Sequence, residues 1–185
     1  RYDRDLQKYI EDVTNIDRWL DAYPAFVQVE KIVSESGFSS ERIADNDTRM
    51  AGAHLIATAR ELMFKIKYSI NFSVTGGWGM LNKPRGEALK MLSGLGSDRL
   101  SVTGEGSFVK AIAAKNKDAI QVLVVNYDPK QSHYEVVPVT FLNVTGDKYL
   151  LKETFWGGKT AQEEVATTAA MWQKELPMTP NSVVL

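Results

Sequence analysis

The 185-residue chain contains no cysteine and only two histidines. The first absence excludes a disulfide framework and thiolate metal sites, yet leaves the compartment open, because secreted bacterial enzymes often lack disulfides. The two histidines, His54 in a helical pattern and His133 in a strand-rich region, have no Asp, Glu or His at ligand spacing. Metal and triad chemistry are therefore not expected of them. Charge of one sign is also missing: 22 Lys and Arg are scattered among 23 Asp and Glu. That balance gives no electrostatic footprint for a nucleic acid or another polyanion. No apolar run approaches the length of about 20 residues that crosses a bilayer, so the sequence reads as soluble, with no membrane partner. The glycine-rich stretches Gly76-Gly-Trp-Gly79 and Gly104-Glu-Gly106 lack the Lys-Ser/Thr of a phosphate loop. No cofactor and no metal are expected.

What is present is ordinary globular composition, 44% hydrophobic and 24% charged, arranged in two successive patterns. Leu6, Tyr9, Ile10, Val13, Ile16 and Leu20 recur at helical spacing, and Pro24 closes that run. Val27 to Ser34 is short and β-branched and leads directly into Glu35-Ser-Gly37, a strand followed by a loop. Asp45, Asn46, Asp47 and Thr48 offer N-caps ahead of Ala51, Leu55, Ile56, Ala59, Leu62 and Met63, a second helix. Ile66, Tyr68, Ile70, Phe72 and Val74 alternate with polar residues, the period of a strand with two unlike faces. A loop, Thr75-Gly-Gly-Trp-Gly79, follows, and then a short helix, Glu87 to Leu92, stopped by Gly94 and Gly96.

Strands alternating with helices in this way predict βαβ units with parallel strands. From Leu100 the pattern changes to strands parted by turns: Phe108–Ala114, Ile120–Tyr127, Tyr134–Val144 and Tyr149–Trp156, with turns at Asn116-Lys-Asp118, Asp128-Pro129 and Thr145-Gly-Asp147. That predicts an antiparallel sandwich. Thr160 to Trp172 reads as helical or as a long loop crossing the sheet. Both ends look cut. Arg1 to Asp5 runs straight into a helix with no signal peptide, and Ser182 to Leu185 stops within a strand pattern, so a piece of a longer chain is expected.

The order of these elements, together with Lys31-Ile-Val-Ser-Glu-Ser-Gly37, Asp45-Asn-Asp-Thr48 and Lys83-Pro-Arg-Gly-Glu-Ala-Leu-Lys-Met-Leu-Ser-Gly-Leu-Gly96, resembles the end of clan A glycoside hydrolases. The β-xylosidase and α-L-iduronidase family is the nearest likeness, and Val122 to Tyr127 is similar to a strand of the sandwich that follows the barrel there. The resemblance implies an α/β plus all-β fold. Residues 1–99 would be the C-terminal βα units of a (β/α)8 TIM barrel, and 100–185 an antiparallel β-sandwich. It also implies a retaining glycosidase acting on β-linked sugars, extracellular or at the cell surface. Its partners would be an oligo- or polysaccharide and the remainder of the barrel.

Carried onto this sequence, the resemblance makes Glu35 the catalytic nucleophile, at a strand end where barrel active sites lie. A retaining mechanism needs a second carboxylate about 5–5.5 Å away. In that family it ends the fourth strand, which this chain lacks, so the chain alone is expected to be inactive. Glu30, Glu41 and Glu61 read as solvated or structural. With Ile66, Tyr68, Ile70 and Phe72 expected against helices, Asn71 and Ser73 would face the sugar or bond neighbouring barrel residues. Trp78 is read as a stacking platform for a sugar ring or as a plug between barrel and sandwich. The alternative to an enzyme is a carbohydrate-binding or scaffolding protein with a degenerate barrel.

Overall fold

The computed structural model describes residues 4–26, 28–167 and 170–185. It divides into two compact units, Arg1–Lys90 and Met91–Leu185. The division falls inside a helix, ahead of the change in pattern at Leu100. Residues beyond that helix already belong to the second unit: Gln121 accepts from the Gly96 N–H at 2.7 Å and donates to the Gly94 carbonyl at 2.6 Å.

In the first unit, helix α1 spans Leu6–Asp21. Asp5 caps it, accepting from the Gln7 N–H at 2.8 Å, so one of the four orphan donors of the first turn is satisfied. The chain leaves the helix before Pro24, which opens a single 3-10 turn, Pro24–Phe26. Strand β1 is Ile32–Ser36, starting later than expected and running past Glu35. Val27, the first residue of the expected strand, lies outside the described residues. The shift follows from pairing: the ladder begins where Ile32 faces Tyr68, and Val29 before it is 48% exposed.

A 3-10 turn, Ala44–Asp47, leads into helix α2, Arg49–Leu62. Thr48 is its N-cap residue, but its hydroxyl donates back to the Asp45 carbonyl at 2.8 Å rather than capping the helix. Met50, Ala51, Gly52, Ala53, Leu55 and Ile56 are all buried on this helix. The small residues among them let neighbouring backbone approach closely. Strand β2, Tyr68–Asn71, then pairs parallel to β1, completing one βαβ unit. The register slips between Val33 and Ser36, a bulge next to Glu35. Helix α3, Pro84–Ser93, closes this part of the chain.

The second unit is antiparallel throughout. Strands β3 (Asp98–Leu100), β4 (Val109–Lys115), β5 (Ile120–Asn126) and β10 (Val183–Val184) form one sheet in the order β10-β5-β4-β3. The β4–β5 hairpin turns as the sequence predicts. The Asn116 side chain accepts from the N–H groups of Asp118 and Ala119 at 2.9 and 2.8 Å, an Asx turn. Strand β6 (Glu135–Leu142) pairs with β9 (Met171–Met178), and β7 (Lys148–Thr154) with β8 (Thr160–Ala166). Val109, Val124, Leu176, Met178 and Val184 form a core shared by β4, β5, β9 and β10.

The expectation for Thr160 to Trp172 needs correcting, since the segment is neither helix nor long loop. Thr160 to Ala166 is a strand paired residue for residue with β7, and Met171 and Trp172 begin β9. Thr168 and Ala169 lie outside the described residues. The reason is the turn before it: Gly157 and Gly158 adopt positive φ of 81° and 70°, which reverses the chain onto β7. The resulting ladder outweighs the helical preference of Ala161-Gln-Glu-Glu164.

Candidate functional site

Glu35 sits one residue before the end of β1, exposed, where a parallel strand delivers side chains to the end of a sheet. It lines a cavity of about 240 Å³ in the first unit, together with Phe38, His54, Phe72, Trp78 and Arg85. Two of the sequence-predicted site residues, Glu35 and Trp78, are therefore brought together. Asn71 and Ser73 are not among the lining residues. Asn71 is half-buried opposite Ser36 in the ladder, and the Ser73 hydroxyl donates to the Thr75 carbonyl at 2.9 Å.

The faces of β2 also differ from expectation. Tyr68, Ile70 and Phe72, expected against helices, are 57%, 56% and 47% exposed, and Phe72 lines the cavity. The polar face is engaged instead, with the Ser36 hydroxyl 3.1 Å from that of Ser69 and donating to the Ile70 carbonyl at 3.2 Å. Alternation reveals two faces but does not say which one the neighbouring elements cover. The bulge after Val33 adds a change of side within β1.

The loop after β2 is built by its own backbone. Met80 donates to the Ser73 carbonyl at 3.0 Å and Leu81 to that of Val74 at 3.1 Å, so residues 75–79 project as a closed excursion carrying Trp78. The Phe72 and Trp78 rings meet edge to face, with centroids 6.3 Å apart at 60°. Both residues line the cavity. The Glu35 carboxyl belongs to the same lining.

Arg85, which lines this cavity, feels the charges of Asp47 and Arg42. Asp47 lies 2.9 Å from Lys83 and 2.5 Å from Arg42, and these partners, Lys83 foremost, hold its carboxyl below the ordinary range against the opposing effect of burial. Burial pulls the Arg85 guanidinium below its usual value, an effect that the charge of Asp47 opposes. His54 faces the edge of Phe38, centroids 5.3 Å apart, and burial pushes its pKa down to about 4. It therefore lines the cavity as a neutral imidazole near neutral pH. Nothing in its sequence neighbourhood marked it, because its neighbour Phe38 comes from a different element.

The other candidate residues fall as follows. Glu30 pairs with Lys67, and Glu41 is exposed. Glu61 is half-buried within α2. His133, for which the sequence predicts no carboxylate partner, has one. Its Nε2 is 2.8 Å from Glu135 Oε2, and its ring stacks on Phe108 at 4.2 Å. In extended chain, residues two apart point the same way, which brings this pair together. Among the described residues no group of three His, Cys, Asp or Glu is placed to hold a metal ion, and no helix is long and apolar enough to cross a membrane.

No family model matches the chain, and no curated protein aligns with it significantly. Solved structures do match. The GH39 enzyme from Xanthomonas axonopodis pv. citri superposes with a TM-score of 0.77 at 15% identity, covering 95% of this chain and 47% of that one. A monomeric β-xylosidase from Caulobacter crescentus CB15 gives 0.76 at 16%, covering 97% and 49%. A glucosidase from Croceicoccus marinus gives 0.78 at 14%, covering 98% and 50%. The chain thus spans about half the length of these proteins. At such identity the likeness is one of fold, and the resemblance to the C-terminal part of clan A glycoside hydrolases holds at that level.

Proposed function

We propose that this chain is the C-terminal part of a retaining glycoside hydrolase acting on β-linked sugars. In this reading the first unit contributes the last βα units of a (β/α)8 barrel and the second a β-sandwich, and the enzyme works outside the cell or at its surface. The observation that carries the reading is the position of Glu35: at the end of a parallel strand, exposed, in one cavity with the Phe72 and Trp78 rings. The sheet itself adds support. Two parallel strands are marginal alone, and β1–β2 leaves Ile32, Tyr68 and Ile70 each more than half exposed on an apolar face. Further barrel strands would cover that face.

Glu35 would attack the anomeric carbon from one side of the sugar ring while an acid on another strand protonates the leaving oxygen. The resulting glycosyl ester is then hydrolysed by water, which the same acid, now a base, deprotonates. Trp78 and Phe72 would hold the ring. Asn71 and Ser73 would act through the strand end and loop that present these rings. A second reading, binding of carbohydrate without catalysis, draws on one observation. The other carboxylate at the cavity, Asp5, is committed to capping α1. The deciding experiment uses the full-length protein that contains this chain. Glu35→Ala should abolish hydrolysis of aryl β-glycosides, and azide should partly restore it by filling the vacated space, giving the glycosyl azide of inverted configuration. Undiminished turnover by Glu35→Ala would remove the catalytic assignment.

A further inference from the structure

The Lys83-Pro-Arg-Gly86 phrase opens α3. Pro84 suits the first turn, where a missing N–H costs nothing. Arg85 does something less usual for a helix start: its side chain is buried, only 2% exposed. Its Nη1 donates to the Phe72 carbonyl at 3.2 Å, and its Nη2 donates to the Trp78 carbonyl. These carbonyls belong to the two residues whose rings line the Glu35 cavity, on the outgoing and returning arms of the loop. The stem bonds from Met80 and Leu81 fix the base of that loop, and Arg85 adds the tie across Phe72 and Trp78.

A guanidinium presents its donors in a rigid plane, so one side chain can set the separation of two carbonyls. A lysine ammonium, a single point on a flexible stem, cannot fix both in the same way. Burying a cation is costly, so a buried guanidinium has to be held by hydrogen-bond acceptors, here the two carbonyls. Gly86 brings the helix close enough for this reach, since a Cβ there would overlap the Met80 carbonyl oxygen.

We propose that Arg85 is a positioning residue, which sets the spacing and tilt of the Phe72–Trp78 ring pair at the cavity. Its consequence for sugar affinity rests on the function proposed above. Placement of the rings does not.

The test labels the protein with 5-fluorotryptophan and follows Trp78 by 19F NMR, its resonance identified with Trp78→Phe. Trp19, on α1 of the same unit, serves as the internal control for general loosening. Arg85→Met and Arg85→Lys should both shift and broaden the Trp78 resonance and leave that of Trp19 in place. An unmoved Trp78 resonance in both variants, or equal movement of Trp19 in the milder Arg85→Lys, would overturn the proposal. In the full-length protein, Arg85→Lys and Trp78→Ala should each raise KM about tenfold with little change in kcat, and the double variant should add nothing, as expected when one residue acts through the other. Multiplying effects would contradict it. If Trp78→Ala alone leaves KM unchanged, the sugar-binding reading fails, while the NMR shifts still decide the role of Arg85.

Discussion

Replacing Asp128 by alanine removes the acceptor around which the β5–β6 connection is wound. The residue is 1% exposed, and its carboxylate accepts from the N–H groups of Lys130, Ser132 and His133 at 2.8, 2.6 and 2.8 Å, and from the Ser132 hydroxyl at 3.2 Å. Its own backbone is bracketed by Asn181, which accepts from the Asp128 N–H at 3.2 Å and donates to its carbonyl at 2.9 Å. A hydrogen bond to a charged acceptor contributes about 1.5–3 kcal/mol, and four sharing one carboxylate do not add fully. Some of the freed donors regain water, so Asp128→Ala should cost the second unit about 3–4 kcal/mol. That is a large share of a typical total of about 5–15 kcal/mol. Asp128→Asn keeps one acceptor oxygen and should lose about half as much.

Urea unfolding followed by tryptophan fluorescence reads this directly, because Trp156 donates its indole N–H to the Asn181 carbonyl at 2.9 Å and so reports on the same corner. The pH dependence gives a second check. Burial would raise the carboxyl, but the backbone donors of Ser132, Lys130 and His133 outweigh it and hold its pKa below 3.8. A carboxyl depressed on folding stabilises above its unfolded pKa, and the contribution is lost as pH falls through the lower folded value. The wild-type chain should therefore lose stability below about pH 4 more steeply than Asp128→Asn. An Asp128→Ala variant within about 0.5 kcal/mol of wild type, the range of ordinary surface changes, would show that the carboxylate does not hold this corner together.

His54 should give a further pH signature, beginning nearer neutrality. Its pKa falls from 6.5 to about 4 on folding, so between those values the unfolded chain binds a proton that the folded one does not. Stability should thus drop as pH falls across that window, by on the order of 3 kcal/mol, and His54→Gln should flatten the profile, as measured by urea midpoints from about pH 7 to 4. Gly86→Ala should destabilise the first unit by about 1–3 kcal/mol in thermal melts, despite the better helix propensity of alanine, because its Cβ would overlap the Met80 carbonyl oxygen.

Much of this architecture is legible in the order of the amino acids, because the period of apolar residues changes from helical to alternating where the fold changes. The helix from Leu6, the strand carrying Glu35, the Asn116 turn and the β4–β5 hairpin each announce themselves in local chemistry. What stays hidden depends on partners distant in sequence. Thr160 to Ala166 has no strand signature of its own and becomes β8 through pairing with β7 across a two-glycine turn. The exposure of Tyr68 and Ile70 depends on which elements cover that face of β2, which alternation cannot state. At the site, Glu35 and Trp78 are visible from motif and position. Arg85 is visible only as part of a phrase, and its reach to two carbonyls emerges from the packing of α3 on the loop. His54 reaches the cavity from α2 with no sequence signal at all.

If Glu35 is the nucleophile of a retaining glycosidase, it must form a covalent bond to sugar. That bond can be trapped by incubating the full-length protein with a 2-deoxy-2-fluoro β-glycoside bearing a good leaving group, which slows breakdown of a glycosyl ester more than its formation. Peptide mass spectrometry then maps the adduct. Time-dependent inactivation is expected, with one sugar attached, carried on the peptide around Ser34-Glu35-Ser36, and no adduct in Glu35→Ala. An adduct on another carboxylate, or turnover of such glycosides with inverted products, would contradict the assignment of Glu35.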